Sequence, residues 1–277
     1  MRTAKTRLPM LVFSLLAASA TAAMAQDKPA DKDWDWAFED VHFIGTMGLA
    51  YSSGSYGTNR NTNVELALPA LSMETGDFKF TASLPYMRIS GRGLVVFDSV
   101  GNPIVINRNT AAPPDVRTGW GDLNLSASYT VPAAILAGFE LKVSGLTKLP
   151  TGPARRRLNT GETDFGGSID VSRRFGIWSP FLTVGYLVPG KPSVFTLYNT
   201  TSVSAGTTLE LSNDLVASAS YDWDSASTPL VPASHELFGS LSWVRGDNVT
   251  LSGYTTVGLS DGSPQVGVGV LVSYALN

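Results

Sequence analysis

The feature that most constrains this chain is a two-residue alternation of apolar and polar side chains, which recurs from residue 41 to the carboxyl terminus. From Asp122 to Tyr129, leucine, alanine and tyrosine occupy every second position, and aspartate, asparagine and serine lie between them. Strict alternation is typical of a β-strand with two different faces. Twelve such runs occur, near residues 41–52, 62–72, 77–89, 120–131, 138–149, 163–175, 178–188, 200–212, 214–224, 234–245, 248–259 and 264–276.

The runs are long, and their polar faces are unusual for a soluble protein. A tilted strand needs about 9–11 residues to cross a bilayer, whereas strands of globular proteins usually have about 5–6. The polar faces carry mainly Ser, Thr, Gly and Asn, and aromatic residues gather near the ends of the runs. We therefore predict an all-β fold, a transmembrane antiparallel up-and-down β-barrel of 12 strands. A soluble β-sandwich is the alternative architecture.

The links between the predicted strands alternate in length. Links after even-numbered strands are short, as at Thr75-Gly76 and Gly246-Asp247, although the link at residues 132–137 is longer. Links after odd-numbered strands are longer, apart from the last, and rich in Gly, Pro, Ser, Thr and Arg. Outer-membrane barrels have short periplasmic turns and long extracellular loops. We therefore expect the first strand to start in the periplasm and the odd-numbered links to lie outside the cell.

The amino-terminal segment is typical of a secretory signal. Three basic residues within the first seven positions precede an apolar stretch, which ends in small residues at Ala23-Met24-Ala25. Removal of this segment changes the formal net charge from −3 to −6 because it carries three positive charges and no negative ones. We predict a signal peptide at 1–25, a periplasmic leader or short plug at 26–40 and the barrel at 41–277, in the outer membrane of a Gram-negative bacterium.

Composition excludes several kinds of function. The chain has no cysteine and only two histidines, so we expect no metal site and no cofactor. A net negative charge without a basic face argues against nucleic-acid binding. The strand phase puts His235 on the apolar face and His42 on the polar face near the opposite end, so the two would not share one catalytic serine. We therefore predict that the protein is not an enzyme; a lipid hydrolase is the weakest alternative.

Charged residues fall on the predicted inner face of the barrel. Because an unpaired buried charge is costly, we expect them to pair across the lumen in a charge network that narrows the path. We expect Lys148 to pair with Asp164 and to lie with Glu140 and Lys142 in the outer half of the lumen. The network comprises Asp122, Glu140, Lys142, Lys148, Asp164, Asp170, Glu210, Asp222, Asp224 and Glu236, and Glu65, Lys79 and Arg174 also have the inward phase.

The one dense basic cluster lies in the third predicted outer loop. It consists of Arg155, Arg156 and Arg157. Arginine binds phosphate in a forked geometry, so we expect contact with lipopolysaccharide, alongside the outer-membrane lipids around the barrel. A solvated loop is the alternative interpretation. The sequence leaves open whether the protein is a monomer or a homo-oligomer.

Five short motifs are spread over the predicted barrel. They are Leu-Pro-Tyr at 84–86, Gly-Trp-Gly-Asp-Leu at 119–123, Lys-Leu-Pro-Thr-Gly at 148–152, Asn-Thr-Gly-Glu-Thr-Asp at 159–164 and Phe-Leu-Thr-Val-Gly-Tyr at 181–186. Together they resemble an outer-membrane β-barrel family named for transport in the meta-pathway of phenol degradation (MetA-like). The resemblance implies a transporter, and phenol as a ligand is implied only by the family's name.

The predicted function combines the barrel with this resemblance. We expect passive uptake or passage of small, hydrophobic or aromatic solutes through the outer membrane. The alternative is a structural or surface-interaction barrel without transport, whose outer loops bind lipopolysaccharide, a partner or a host surface.

Overall fold

The computed structural model describes residues 41–56, 60–91, 94–97, 103–107, 115–153, 158–193, 196–246 and 248–276. Regular secondary structure in these ranges consists of sixteen β-strands. None of the residues described forms a helix long and apolar enough to cross a membrane. The strands are β1 (His42–Gly54), β2 (Thr62–Thr75), β3 (Phe78–Ser83), β4 (Tyr86–Gly91), β5 (Leu94–Phe97), β6 (Pro103–Asn107), β7 (Asp115–Trp120), β8 (Leu123–Val131), β9 (Phe139–Leu149), β10 (Asp164–Arg173), β11 (Trp178–Val188), β12 (Thr200–Glu210), β13 (Leu215–Asp224), β14 (Ser234–Arg245), β15 (Val249–Gly258) and β16 (Val266–Leu276).

The strands form a closed antiparallel barrel. Each wall strand pairs with its neighbours in sequence, and β1 also pairs with β16 from Phe43↔Leu276 to Ser53↔Val266, which closes the wall. Strands β3 and β4 both pair with β2, and they are two halves of one wall strand. Strands β7 and β8 are likewise halves of the next one. The wall therefore has twelve strands, and the predicted fold is confirmed.

Two adjacent wall strands are interrupted at about half their length. The first break is at Leu84-Pro85, where proline has no backbone N–H to donate to the sheet. The second is at Gly121-Asp122, and the Gly121 N–H donates to the Pro85 carbonyl over 2.7 Å. A Cβ on Gly121 would lie 2.8 Å from Met87 Cε and 3.0 Å from Pro85 Cγ. The small size of Gly121 is therefore required where the breaks meet.

The connections have the predicted alternation, which separates the barrel into two ends. Tight turns at one end join β2–β3, β10–β11, β12–β13 and β14–β15, and a longer link at residues 132–138 joins β8–β9 at the same end. Gly76, Gly176 and Gly246 have φ values of 55°, 64° and 64° in three of these turns, a conformation that glycine adopts without strain. The longer links lie at the other end, and the second of them contains the β5–β6 hairpin, which the alternation pattern missed. We call these the turn end and the loop end.

The distribution of exposed residues is inverted relative to a soluble protein. Apolar side chains on alternate positions of every wall strand face outward and are exposed, as are Val268 at 46% and Leu251 at 44%. Serine, threonine and charged side chains on the other positions are buried inside, as is Ser252 at 8%. An apolar outer face with all backbone hydrogen bonds made within the wall is what a bilayer requires. Outward aromatic pairs, such as Phe78–Tyr129 and Tyr86–Trp120, lie near the ends and breaks of strands.

One predicted inward charge faces outward. Glu65 lies on the outer face of β2 and forms a half-exposed ion pair with Arg88 of β4, with 2.7 Å between Oε1 and Nη1. The inward positions beside it hold Val64 and Leu66, which are buried. Because this stretch of β2 has apolar residues on both faces, the alternation could not fix its phase. Lys79, by contrast, faces the lumen and pairs with Glu74 over 3.0 Å.

The predicted signal peptide at 1–25 and leader at 26–40 lie outside the described residues. Both stay predictions.

The outward phase of β16 predicts a depth-dependent response to charge. Val270 lies in the middle of β16 and is 52% exposed, whereas Val266 lies at the loop end of the same face. We expect Val270→Arg to cost about 2–4 kcal/mol of folding free energy in a bilayer and Val266→Arg about 0–1 kcal/mol. Folding yield in lipid vesicles, measured by heat-modifiable gel mobility, checks this. Equal yields for the two variants would contradict the assigned depth and phase.

Candidate functional site

The candidate site is the inner face of the barrel, and its most buried charges form a cluster in the half nearer the loop end. Lys148 Nζ lies 2.8 Å from Asp164 Oδ2 and 3.6 Å from Asp122 Oδ2. The three residues are at most 3% exposed. They sit on the adjacent strands β9 and β10 and at the break before β8, so the register brings them together. We call these three residues the acid–lysine cluster.

The acid–lysine cluster holds the ends of two loops. Asp122 Oδ1 accepts hydrogen bonds from the Gly152 N–H at 3.0 Å and from Asn159 Nδ2 at 2.7 Å. Lys148 Nζ donates to Thr160 Oγ1 at 2.8 Å, and Asp164 Oδ1 accepts from the Gly190 N–H at 3.0 Å. Both aspartates therefore bind backbone as well as the lysine. The cluster ties the third and fourth loops to the barrel wall.

A second set of charges lies toward the turn end. Lys142 Nζ lies 3.6 Å from Asp170 Oδ2, and Asp170 Oδ1 accepts a hydrogen bond of 2.6 Å from Thr183 Oγ1. Arg174 pairs with Glu210 near the end of β12. Glu140 is two residues from Lys142 on the same face of β9.

These positions correct one part of the predicted lumen network. Glu140 and Lys142 lie near the start of β9, whereas Lys148 lies near its loop end, so the three do not share the outer half of the lumen. A strand rises by about 3.3 Å per residue, so Lys142 and Lys148 lie about 20 Å apart along β9. The charges also pair along the wall between neighbouring strands rather than across the lumen, because a register partner is much nearer than the opposite wall.

The remaining predicted charges lie on another part of the wall. Asp222 of β13 and Glu236 of β14 are register partners and are 5% and 4% exposed. Asp222 accepts hydrogen bonds from Ser204 Oγ at 2.5 Å and Ser220 Oγ at 3.2 Å, and Glu236 Oε1 accepts one from Ser234 Oγ at 3.1 Å. Asp224 lies two residues beyond Asp222 on the same face. We call Asp222 and Glu236 the acid pair.

Between the charged groups the inner face is lined by hydroxyl groups that bond to each other across strands. Ser218–Ser240 are separated by 2.6 Å and Ser242–Ser252 by 2.8 Å, and either hydroxyl of each pair can donate. Thr46–Ser273 and Ser72–Thr81 are each separated by 2.9 Å. The lining is therefore polar but mostly neutral.

A row of apolar side chains interrupts this polar lining, and the sequence analysis did not find it. The register links Tyr254, Gly269, Ala50, Leu66 and Met87 side by side across β15, β16, β1, β2 and β4. The row continues into a buried cluster, on which Leu158 of the third loop packs. The cluster comprises Val64, Leu66, Leu68, Met87, Ile89 and Leu158. The sequence indicates this apolar row only in β2, where apolar residues occupy both faces of the strand.

Two aromatic rings face the lumen at one end of the apolar row. Phe238 and Tyr254 stack with their centroids 5.9 Å apart and their planes inclined by 24°. The Tyr254 ring lies across Gly269, since a Cβ there would approach within 2.3 Å of the ring. The absence of a side chain at Gly269 therefore leaves room for the Tyr254 ring. We call Phe238 and Tyr254 the ring pair.

A Gly-x-Ser-x-Gly motif lies near the loop end, between β15 and β16. Residues Gly258–Gly262 read Gly-Leu-Ser-Asp-Gly, a spacing that marks the nucleophile in α/β-hydrolases. Here Ser260 Oγ donates to the Ala233 carbonyl and accepts from the His235 backbone N–H, while His235 Nδ1 bonds the Tyr221 hydroxyl. The imidazole is thus engaged elsewhere, and the serine stabilises a loop. No serine–histidine pair of catalytic geometry forms at this motif.

The basic cluster of the third loop and the possible metal ligands complete the set of predicted groups. Arg155, Arg156 and Arg157 lie outside the described residues, so their contact with lipopolysaccharide stays a prediction. In the ranges that the structure describes, no group of three or more histidine, aspartate or glutamate side chains is arranged to hold a metal ion.

Comparison with known proteins identifies the kind of fold. No protein-family model and no curated protein matches the chain. An outer membrane channel from Pseudomonas putida F1 is similar, with a TM-score of 0.65 and 13% identity over 89% of this chain and 100% of that one. The KdgM porin has a TM-score of 0.51 with 8% identity, covering 84% and 99% of the two chains. The NanC porin has a TM-score of 0.51 with 12% identity, covering 84% and 100%. The chain therefore has the fold of outer-membrane channels and porins.

The acid–lysine cluster predicts a large effect of removing its one cation. Lys148→Ala leaves two buried carboxylates without a counter-charge, which costs about 3–5 kcal/mol in buried pairs. We expect a lower urea midpoint and faster protease cleavage within the third loop. Arg88→Ala, which breaks the half-exposed pair with Glu65, is the control and should cost about 0–1 kcal/mol. Similar urea midpoints for the two variants would show that the cluster does not secure the loops.

Proposed function

We propose that the protein is an outer-membrane channel for the passive passage of small, hydrophobic or aromatic solutes. The observation that carries the proposal is the apolar row that ends in the ring pair, on an inner face otherwise lined by hydroxyl groups. A polar lining suits a water-filled path, and aromatic rings bind other aromatic rings by stacking. The similarity in fold to outer-membrane channels and porins supports the location and the passive mode.

The acid–lysine cluster supports a narrow rather than an open path. It draws the third loop toward the wall, and Leu158 of that loop packs on the apolar cluster with no exposed surface. A solute that enters from the loop end would therefore pass the loop and reach the apolar row. This arrangement favours compact solutes with an apolar face.

Single-channel recording tests the proposal on the full-length protein in planar bilayers. We expect an ion current that benzyl alcohol blocks at a concentration about two- to tenfold lower than myo-inositol, a ring of similar size without aromatic character. Phe238→Leu should reduce this difference, because it removes one of the two stacked rings.

Phe165→Leu is the matched control, because Phe165 is 61% exposed on the outer face of the barrel. It should leave the difference between benzyl alcohol and myo-inositol unchanged. A folded protein that carries no current and passes no solute in liposome swelling would contradict the channel and favour a structural barrel. Equal block by the two compounds would contradict the solute class.

A further inference from the structure

The acid pair and the ring pair are neighbours on the inner face of β14. Glu236 belongs to the acid pair, and Phe238 follows two residues later on the same face. Two residues along a strand span about 7 Å. That separation is within reach of one small molecule in which an aromatic ring and a charged group are one or two carbon atoms apart.

The acid pair has no counter-charge among the described residues. Asp122 and Asp164 share Lys148, and Asp170 has Lys142, but the contacts of Asp222 and Glu236 are to serine hydroxyls. Two carboxylates face each other across adjacent strands without an intervening base. A buried pair of ionised carboxylates is costly unless a cation compensates it or one of the two carboxyl groups is protonated.

One carboxylate oxygen of the acid pair makes no hydrogen bond among the described residues. Glu236 Oε2 is buried and has no hydrogen-bond partner. Tyr56 of the first loop, which is 1% exposed, lies close enough for Glu236 to influence it: burial raises the pKa of Tyr56, and the negative charge adds to this rise. The Oε2 atom of Glu236 is thus a buried acceptor that lacks a hydrogen-bond partner among the described residues.

We propose that the acid pair and the ring pair together form a binding site for a small aromatic solute that carries a protonated amine. The ammonium group would donate to Asp222 and Glu236 in charge-assisted hydrogen bonds. The aromatic ring would lie against Phe238 and Tyr254. This inference rests on the proposed channel function and names its solute class more narrowly.

The two halves of the site discriminate against simpler ligands. An inorganic cation would compensate the carboxylates but would have no ring to stack on Phe238 and Tyr254. A neutral aromatic alcohol would stack on the rings but would leave the carboxylates without a counter-charge. The amine and the ring in one molecule satisfy both groups.

Block of the single-channel current by two isosteric probes tests this inference. We expect benzylammonium to block the parent protein at a concentration about tenfold lower than benzyl alcohol. The isosteric changes Glu236→Gln and Asp222→Asn should each remove most of that preference while the block by benzyl alcohol is unchanged. Potassium chloride at equal ionic strength in all recordings keeps non-specific screening constant.

Glu65→Gln is the matched control, because it removes the same charge from the outer face of the barrel. It should keep the preference for benzylammonium, and heat-modifiable mobility verifies that each variant is folded. Equal block of the parent by the two probes, with benzyl alcohol still effective, would overturn the amine site and leave the proposed channel intact. A preference that persists in both Glu236→Gln and Asp222→Asn would also overturn it.

Discussion

The structure depends on one constraint: a bilayer offers no hydrogen-bond partners to a sheet edge. The pairing of β1 with β16 meets it, because the eleven register pairs from Phe43↔Leu276 to Ser53↔Val266 remove the last open edge of the wall. Closure divides the side chains into two populations with different surroundings. Outward positions that contact lipid are apolar, and most polar groups of the wall point inward, where space is limited.

The inner face meets this demand by pairing polar groups with their neighbours along the wall. The ladder places Lys148 opposite Asp164 and Lys142 opposite Asp170, so charges are compensated between adjacent strands. The same registration leaves Asp222 opposite Glu236, where no base lies nearby among the described residues. A single geometric rule thus produces both a stable anchor for the loops and a site with excess negative charge.

The twelve wall strands could be predicted from sequence because lipid on one side and a polar interior on the other enforce strict alternation. The prediction failed where that contrast disappears. Glu65 was given the wrong face because Val64 and Leu66 put apolar residues inside. The ring pair could not be predicted because it depends on the register of β14, β15 and β16 and on the space that Gly269 leaves for the Tyr254 ring. No single segment of the sequence contains this information. The grouping of Lys148 with Glu140 failed because a shared face does not imply a shared height.

The hydroxyl pairs of the lining have a consequence for how a solute would move. In Ser218–Ser240 and Ser242–Ser252 either oxygen can act as the donor. Reversal requires only rotation about two Cβ–Oγ bonds, which leaves the backbone ladder untouched. The wall can therefore turn either a proton or a lone pair toward a passing group. The hydroxyl dipoles of the lining reorient on the time scale of side-chain rotation, while the backbone of the wall keeps its shape. A rigid barrel can therefore adjust its hydrogen bonding to each passing solute.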